Sequence, residues 1–316
     1  MTQNPNLVTL DAIHAAAARI APYVSETPIV PLTPTGIGLK AESLHPIGAF
    51  KIRGAFNALL GLGEDERRRG VVAHSSGNHA QAVAYAAKKL GIQCTIVMPD
   101  NSSRVKLEAT RYWGADVRLV KAAMRASTCE RLARERDLVI IEPFNSLAIM
   151  AGTGTIGLEI LKQCPDARFV TAPVSGGGLI GGLSAAIAQS NPVIQVIGVE
   201  PELANDAQRS FRAGRLVALS PDETGRTIAD GLRVPQLGEL PFANIKVFVR
   251  DIVTVTEDEI RQAMRRITAE ARLIAEPSGA VALAGALKLG LEREKTVAIL
   301  SGGNVEAGLY ASIIGA

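Results

Sequence analysis

Short apolar runs rich in β-branched residues alternate with alanine-rich stretches of helical period, and this alternation restricts the fold more than any other feature of the chain. Val71–Ala73, Gln93–Met98, Val117–Val120 and Leu138–Ile141 read as strands, separated by helices over Ala80–Leu90, Ser103–Trp113 and Met124–Arg136. A second series runs through Phe169–Val174, Leu179–Gln189 and Val193–Glu200. Near the end come a strand at Ile252–Thr256, helices at Asp258–Leu273 and Gly279–Leu289, and a strand at Thr296–Leu300. Strand–helix–strand repetition of this kind predicts parallel sheets covered by helices on both faces. Two series predict two α/β domains with a cleft between them, and Asn145–Gly154 is the expected crossing. Only 4% of the 316 residues are aromatic, while glycine and alanine abound, which suits close helix-on-strand packing better than a β-sandwich. No internal repeat, low-complexity segment or C-terminal extension long enough for a regulatory domain stands out.

Composition removes several function classes. A net charge of +3 with no basic run interleaved with aromatics gives nucleic-acid binding no support. No apolar stretch reaches membrane-spanning length and the N-terminus lacks a basic leader, so no membrane association and a cytoplasmic location are expected. Cys94, Cys129 and Cys164 are isolated and odd in number, and they read as buried thiols of a reducing compartment.

Within this frame one lysine is oddly placed. Lys51 lies in Gly48-Ala49-Phe50-Lys51-Ile52-Arg53-Gly54-Ala55, among apolar and small residues. It is either an amphipathic side chain snorkelling from the start of a helix or a desolvated amine. Desolvation lowers a lysine pKa from about 10.4 toward ~7–8 and yields a basic or nucleophilic amine.

Three polar, glycine-containing loops follow predicted strands. Ser75-Ser76-Gly77-Asn78-His79 opens the helix at Ala80, where its N–H groups and the helix dipole suit a carboxylate. Ordinary capping by Ser and Asn is the competing explanation. Ser175-Gly176-Gly177-Gly178-Leu179 suits a phosphate, because no side chain stands between its backbone and the anion. Gly176, Gly178 and Gly181 also satisfy a dinucleotide fingerprint, with Glu200 as its ribose-binding acid. Ser301-Gly302-Gly303-Asn304 follows the last strand and is either a simple turn or a third ligand loop.

Taken with Gly152-Thr153-Gly154-Thr155-Ile156, Ala229-Asp230-Gly231 and Glu276-Pro277-Ser278-Gly279-Ala280, these segments resemble the fold-type II pyridoxal-phosphate enzymes. The branch resembled is that of threonine/serine dehydratases and serine racemases. The segments stand in the family's order and span nearly the whole chain. The resemblance implies a tryptophan synthase β-like fold with pyridoxal phosphate in the cleft between two open parallel-sheet domains. Residues 1–52 and 150–316 would form the large cofactor-binding domain, and 53–149 the small substrate-binding domain. A homodimer or homotetramer acting on a small amino acid is expected.

Roles follow position by position from the resemblance. Lys51 would hold the cofactor and move the Cα proton, with Phe50 lining the ring pocket. Asn78 would meet the ring's 3′-oxygen and Ser301 its nitrogen. Ser175, Gly176, Gly177, Gly178 and Leu179 would hold the phosphate. Ser75, Ser76, Gly77 and His79 would surround the substrate carboxylate. Ser76 would be the second acid/base if the enzyme racemises, and Arg125 would bind a second carboxylate if it enters the pocket. Otherwise Arg125 is an exposed helix arginine. Glu200, Ala204 and Asp206 would hold Mg²⁺ or Ca²⁺. The family commonly has Ser at Ala49 and Gly at Ser175. The short stretch Pro34–His45 with Pro46-Ile47 argues against nucleotide activation. The implied activity is elimination of a β-hydroxyl from L-threonine or L-serine, giving a 2-oxo acid and ammonia. The alternatives are serine racemase, 3-hydroxyaspartate dehydratase, and a non-enzymatic amino-acid-binding relic of the fold.

Overall fold

The structure, a computed structural model, describes residues 4–33, 35–75, 77–102, 104–291 and 295–315. In chain order its strands are β1 (Ile29–Leu32), β2 (Ile37–Ala41), β3 (Val71–His74), β4 (Cys94–Pro99), β5 (Asp116–Val120), β6 (Val139–Ile140), β7 (Phe169–Pro173), β8 (Gln195–Pro201), β9 (Asp251–Val255) and β10 (Thr296–Leu300). They form two sheets, a six-stranded one in the order β1-β2-β10-β7-β8-β9 and a four-stranded one in the order β5-β4-β3-β6. Every pairing is parallel except β1 with β2, whose short connection leaves no room for the crossover a parallel pair needs. The sequence alternation thus holds along both sheets, and the N-terminal hairpin is an addition to it.

Both sheets contain a point where the winding direction reverses. In the larger sheet the chain passes from β7 outward through β8 and β9, then returns as β10 on the other side of β7. In the smaller sheet β4 and β5 lie on one side of β3 and β6 on the other. Connections diverge at such points and leave a crevice at the carboxyl ends of the strands. Three of the expected loops lie there: the one with Ser75, Gly77 and Asn78 after β3, Ser175–Gly178 after β7 and Ser301–Asn304 after β10.

The expected crossing at Asn145–Gly154 enters a helix, Leu147–Gln163, whose N-cap, Ser146, accepts a hydrogen bond from the Ile149 N–H; in chain order this helix stands between β6 of the smaller sheet and β7 of the larger. Its glycines serve contact: a Cβ on Gly152 would stand 2.7 Å from the Arg53 carbonyl oxygen. The small residues let this helix lie against the Lys51–Leu60 and Gly178–Ser190 helices. The helix expected over Asp258–Leu273 is regular only over Glu257–Arg266, then widens into a π-helical turn at Ile267–Ala271. Of the cysteines, only Cys129 is buried; Cys94 and Cys164 are partly exposed.

One buried ionic cluster ties these elements together. Arg53 donates to Glu42 at 2.7 and 2.8 Å and to Glu159 at 2.6 and 2.9 Å. Lys40, from β2, donates to Glu159 at 2.5 Å. Removing one member would strand its partner in low dielectric, so the cluster holds as a unit.

Candidate active site

The two crevices face one another across a cavity of about 350 Å³. That volume suits a small cofactor or metabolite. Its lining includes Phe50, Lys51, Ser75, Gly77, Asn78, His79, Arg125, Ser175 to Leu179 and Ser301. Nearly all the residues proposed for cofactor and substrate therefore meet in one place. Ser76 lies outside the described residues.

Lys51 occupies the first position of the Lys51–Leu60 helix. The preceding segment is pinned to the loop after β10, with the Phe50 N–H donating to the Ser301 carbonyl at 3.0 Å and Gly303 N–H to Gly48 O at 2.9 Å. The Lys51 amine donates to the Pro143 carbonyl oxygen at 2.8 Å, and no carboxylate among the described residues pairs with it. Dense protein around it, without a counter-ion, lowers its pKa to about 8. The snorkelling alternative is excluded by this placement. Lys51 lines the cavity.

The glycine loop leads into the Gly178–Ser190 helix, whose first-turn N–H groups lack intrahelical acceptors and open at the cavity. Gly177 has φ +88°, and a Cβ there would also approach Pro241 and Leu237 within 2.8 Å. A Cβ on Gly176 would collide with the Phe144 ring. Only glycine lets this backbone turn toward the cavity while Phe144 packs behind it. On the facing crevice the Ser75 hydroxyl accepts from the Gly77 N–H at 3.1 Å, and Asn78 begins its helix. Ser301 is buried and its hydroxyl is 3.4 Å from the Ser278 carbonyl.

His79 contributes shape, not charge. Its Nε2 meets the Ile141 carbonyl at 3.0 Å, and burial together with the Lys51 charge lowers its pKa to about 3. Arg125 is half-buried and lines the cavity, so it is no ordinary surface arginine. Its Nε donates only to the Ala122 carbonyl, and burial lowers its pKa.

Sequence reasoning missed a second polar group on the cavity wall. Asn78 Nδ2 donates to Glu276 Oε1 at 2.5 Å, and Asn78 Oδ1 accepts from Asn304 at 2.8 Å. Lys106 is buried, paired with Asp230 and 3.7 Å from Glu276 Oε2. Nothing in the Arg104-Val105-Lys106-Leu107-Glu108 stretch marks Lys106 out. Glu276 stood in a recognised segment without a role.

Glu200, near the end of β8, and Ala204 and Asp206, just beyond it, lie elsewhere, and none lines the cavity. Glu200 accepts from the N–H groups of Ala207 and Gln208 at 3.2 and 2.8 Å, so it caps the helix that follows. That use leaves the dinucleotide fingerprint without its ribose-binding acid. Both carboxylates are buried and the Asp206 oxygens have no hydrogen-bond partner. Burial and mutual repulsion raise the Glu200 pKa, and burial lifts that of Asp206 to about 7. Among the described residues no group of three or more His, Cys, Asp or Glu side chains could hold a metal. No helix among them is long and apolar enough to cross a membrane.

A counter-ion-free amine, a glycine-lined helix N-terminus and a buried hydroxyl around one cavity define a site for a phosphorylated aldehyde cofactor. The comparisons make the class specific. The sequence profile of the family described as pyridoxal-phosphate dependent enzyme matches residues 20–302. The L-threonine ammonia-lyase of Thermotoga maritima is 40% identical over 309 residues, covering 96% of this chain and 75% of that protein. The L-threo-3-hydroxyaspartate ammonia-lyase of Saccharomyces cerevisiae is 38% identical, covering 95% and 94%. The structure of maize serine racemase superposes with a TM-score of 0.92 at 38% identity, covering 97% of each chain. The chain belongs to the fold-type II pyridoxal-phosphate dependent enzymes, in the branch of ammonia-lyases and racemases. The residues fit the cofactor: the unpaired N–H cradle at Gly176–Leu179 suits its phosphate and Lys51 its aldehyde.

Proposed function

We propose that this protein eliminates the β-hydroxyl of L-threonine or L-serine, releasing a 2-oxo acid and ammonia. Bound pyridoxal phosphate would supply an electron sink for the charge that develops at the substrate's Cα. The protein supplies orientation and proton movement. The first-turn N–H groups of Asn78 and His79 would hold the substrate carboxylate, since those of Ser75 and Gly77 are bonded within the protein, and the Gly176–Leu179 loop would hold the phosphate. The Lys51 amine, whose lowered pKa leaves more of it unprotonated near neutral pH than an ordinary lysine, takes the Cα proton. The β-hydroxyl leaves with a proton as water, and the unsaturated amine released hydrolyses to the 2-oxo acid and ammonia. Ser301 offers the ring nitrogen a neutral partner, which favours prompt loss of a β-substituent over transamination. The observation that carries this reading is the Lys51 amine, buried without a counter-ion in the same cavity as Ser301.

The test is a 2-oxo acid assay on the protein supplied with pyridoxal phosphate, with L-serine, L-threonine and L-threo-3-hydroxyaspartate as substrates. Turnover of the first two, lost in Lys51→Ala, is the expected result; turnover of none contradicts it. Chiral analysis of recovered serine shows whether racemisation accompanies elimination.

A second reading rests on Arg125. A half-buried guanidinium in the cavity, with no carboxylate partner among the described residues, suits a substrate with a second acidic group, as in hydroxyaspartate. Preference for the dicarboxylic substrate, reversed by Arg125→Ala, would favour it. We further propose that the Glu200–Asp206 pair and the Ala204 carbonyl take Mg²⁺ or Ca²⁺, since the unpartnered Asp206 oxygens are hard donors. Stabilisation by millimolar Mg²⁺, absent in Asp206→Asn, tests that.

A further inference from the structure

Asn78 and Lys106 come from helices of the four-stranded-sheet side, whereas Glu276, Asp230 and Asn304 come from the six-stranded-sheet side. Their contacts bridge the cavity at the wall next to the Ser301 loop. The Glu276 carboxyl is only 1% exposed and wedged under the Gly302 backbone, where a Cβ would collide with its Oε1. Its backbone N–H donates to the Gly302 carbonyl at 3.1 Å, which fixes it to the loop that carries Ser301. Oε1 receives the Asn78 amide, but Oε2 has no hydrogen-bond partner and only the Lys106 ammonium nearby, at 3.7 Å. Asn78 Oδ1 is already taken by Asn304. Its amide therefore has one hydrogen left to donate into the cavity, the second on Nδ2.

We propose that Glu276 is a positioning residue that fixes the Asn78 amide toward the cofactor and carries an exchangeable proton on Oε2, the oxygen that no hydrogen bond holds. The proposal rests on the pyridoxal-phosphate reading of the cavity. Its chemistry is local. Both hydrogens of Nδ2 draw on one nitrogen, so an ionised Glu276 on the first weakens the second as a donor to an oxyanion in the cavity. A neutral Glu276 leaves that donor stronger. The proton exchanges in the neutral range: burial raises the Glu276 pKa to about 7, against the lowering pull of Lys106, and Asp230 adds to the rise. Lys106 on one side and Asp230 on the other are the charged groups facing it; Asn78 and Asn304 are neutral. Below that midpoint Asn78 is the stronger donor, and above it the weaker.

The experiment is a pH titration, from 5.5 to 8.5, of the visible absorbance of the protein loaded with pyridoxal phosphate, paired with infrared difference spectra of its protonated carboxyl groups. The wild type is expected to show an absorbance transition near pH 7 with a matching carboxyl band. Glu276→Gln is expected to bind the cofactor and lose both. Lys106→Met, which removes a charge favouring ionised Glu276, is expected to move both to higher pH. An unchanged transition in Glu276→Gln, or an unmoved one in Lys106→Met, overturns the proposal while leaving the cofactor site intact. A wild type with no cofactor absorbance overturns the cofactor reading and this proposal with it.

Discussion

Lys51 and Arg53 stand two residues apart on one helix, both within the protein, and their surroundings give them opposite tasks. Arg53 lies between the Glu42 and Glu159 carboxylates, which raise its pKa, and it in turn holds Glu42 well below the usual carboxylate range. Lys51 has a carbonyl for company and, among the described residues, no carboxylate, and burial alone lowers its pKa to about 8. A buried cation given counter-ions becomes a fixed charge that orders the fold. A buried cation denied them becomes an amine that can exchange protons. Arg53 anchors the helix, and Lys51 at its open end is then held in one place.

The largest effect that would break this contrast is catalytic. Lys51→Ala is expected to lower turnover by at least ~10²–10⁴-fold, the range for a lost proton-transfer group, in steady-state assay with the melting temperature near that of the parent. Arg53→Ala is expected to do the reverse. It should cost about 3–5 kcal/mol in urea unfolding, because Glu42 loses its partner, and reduce turnover per folded molecule less than Lys51→Ala does. If Lys51→Ala proved the more destabilising of the two, the contrast would fail.

A smaller effect sharpens the role of the phosphate cradle. Gly177→Ala forces a side chain into a left-handed conformation at about 1–2 kcal/mol and toward Pro241. Weaker retention of pyridoxal phosphate on dialysis, with Lys51 intact, is the expected outcome. The smallest effect is a pH dependence of stability. The folded pKa of Lys51, about 8, lies below the ordinary 10.5 of an unfolded lysine. Between these values the unfolded chain binds more protons, so this group makes stability rise with pH over that window and opposes folding below it. Lys51→Met should therefore be at least as stable as the parent at pH 7, with the parent gaining on it toward pH 10. Parallel stability curves would contradict the lowered pKa.

Much of this was legible in the sequence because the signals were local. Strand-helix alternation reports burial on both faces of a parallel sheet, and the loops after β3, β7 and β10 carry their chemistry in consecutive residues. The hairpin β1–β2 was illegible, since Pro31 and the glycines at 36 and 38 break its apolar pattern. The Leu147–Gln163 helix was hidden by glycines that exist for helix contact, a reason visible only once Arg53 lies against Gly152. Lys106 and Glu276 meet although they stand 170 positions apart in the sequence, so no spacing rule could join them. Glu200 illustrates the opposite hazard: it completes a dinucleotide fingerprint by spacing alone, whereas in the fold it caps a helix.

The central claim is that burial without a counter-ion makes Lys51 the reactive amine of the cavity. Borohydride trapping of pyridoxal phosphate on the cofactor-free protein, mapped by peptide mass across a pH series, tests it directly. The account predicts a single adduct, on Lys51, with trapping that rises to a midpoint near pH 8. An adduct on Lys40 or Lys106, or a midpoint near that of an ordinary lysine, would contradict it.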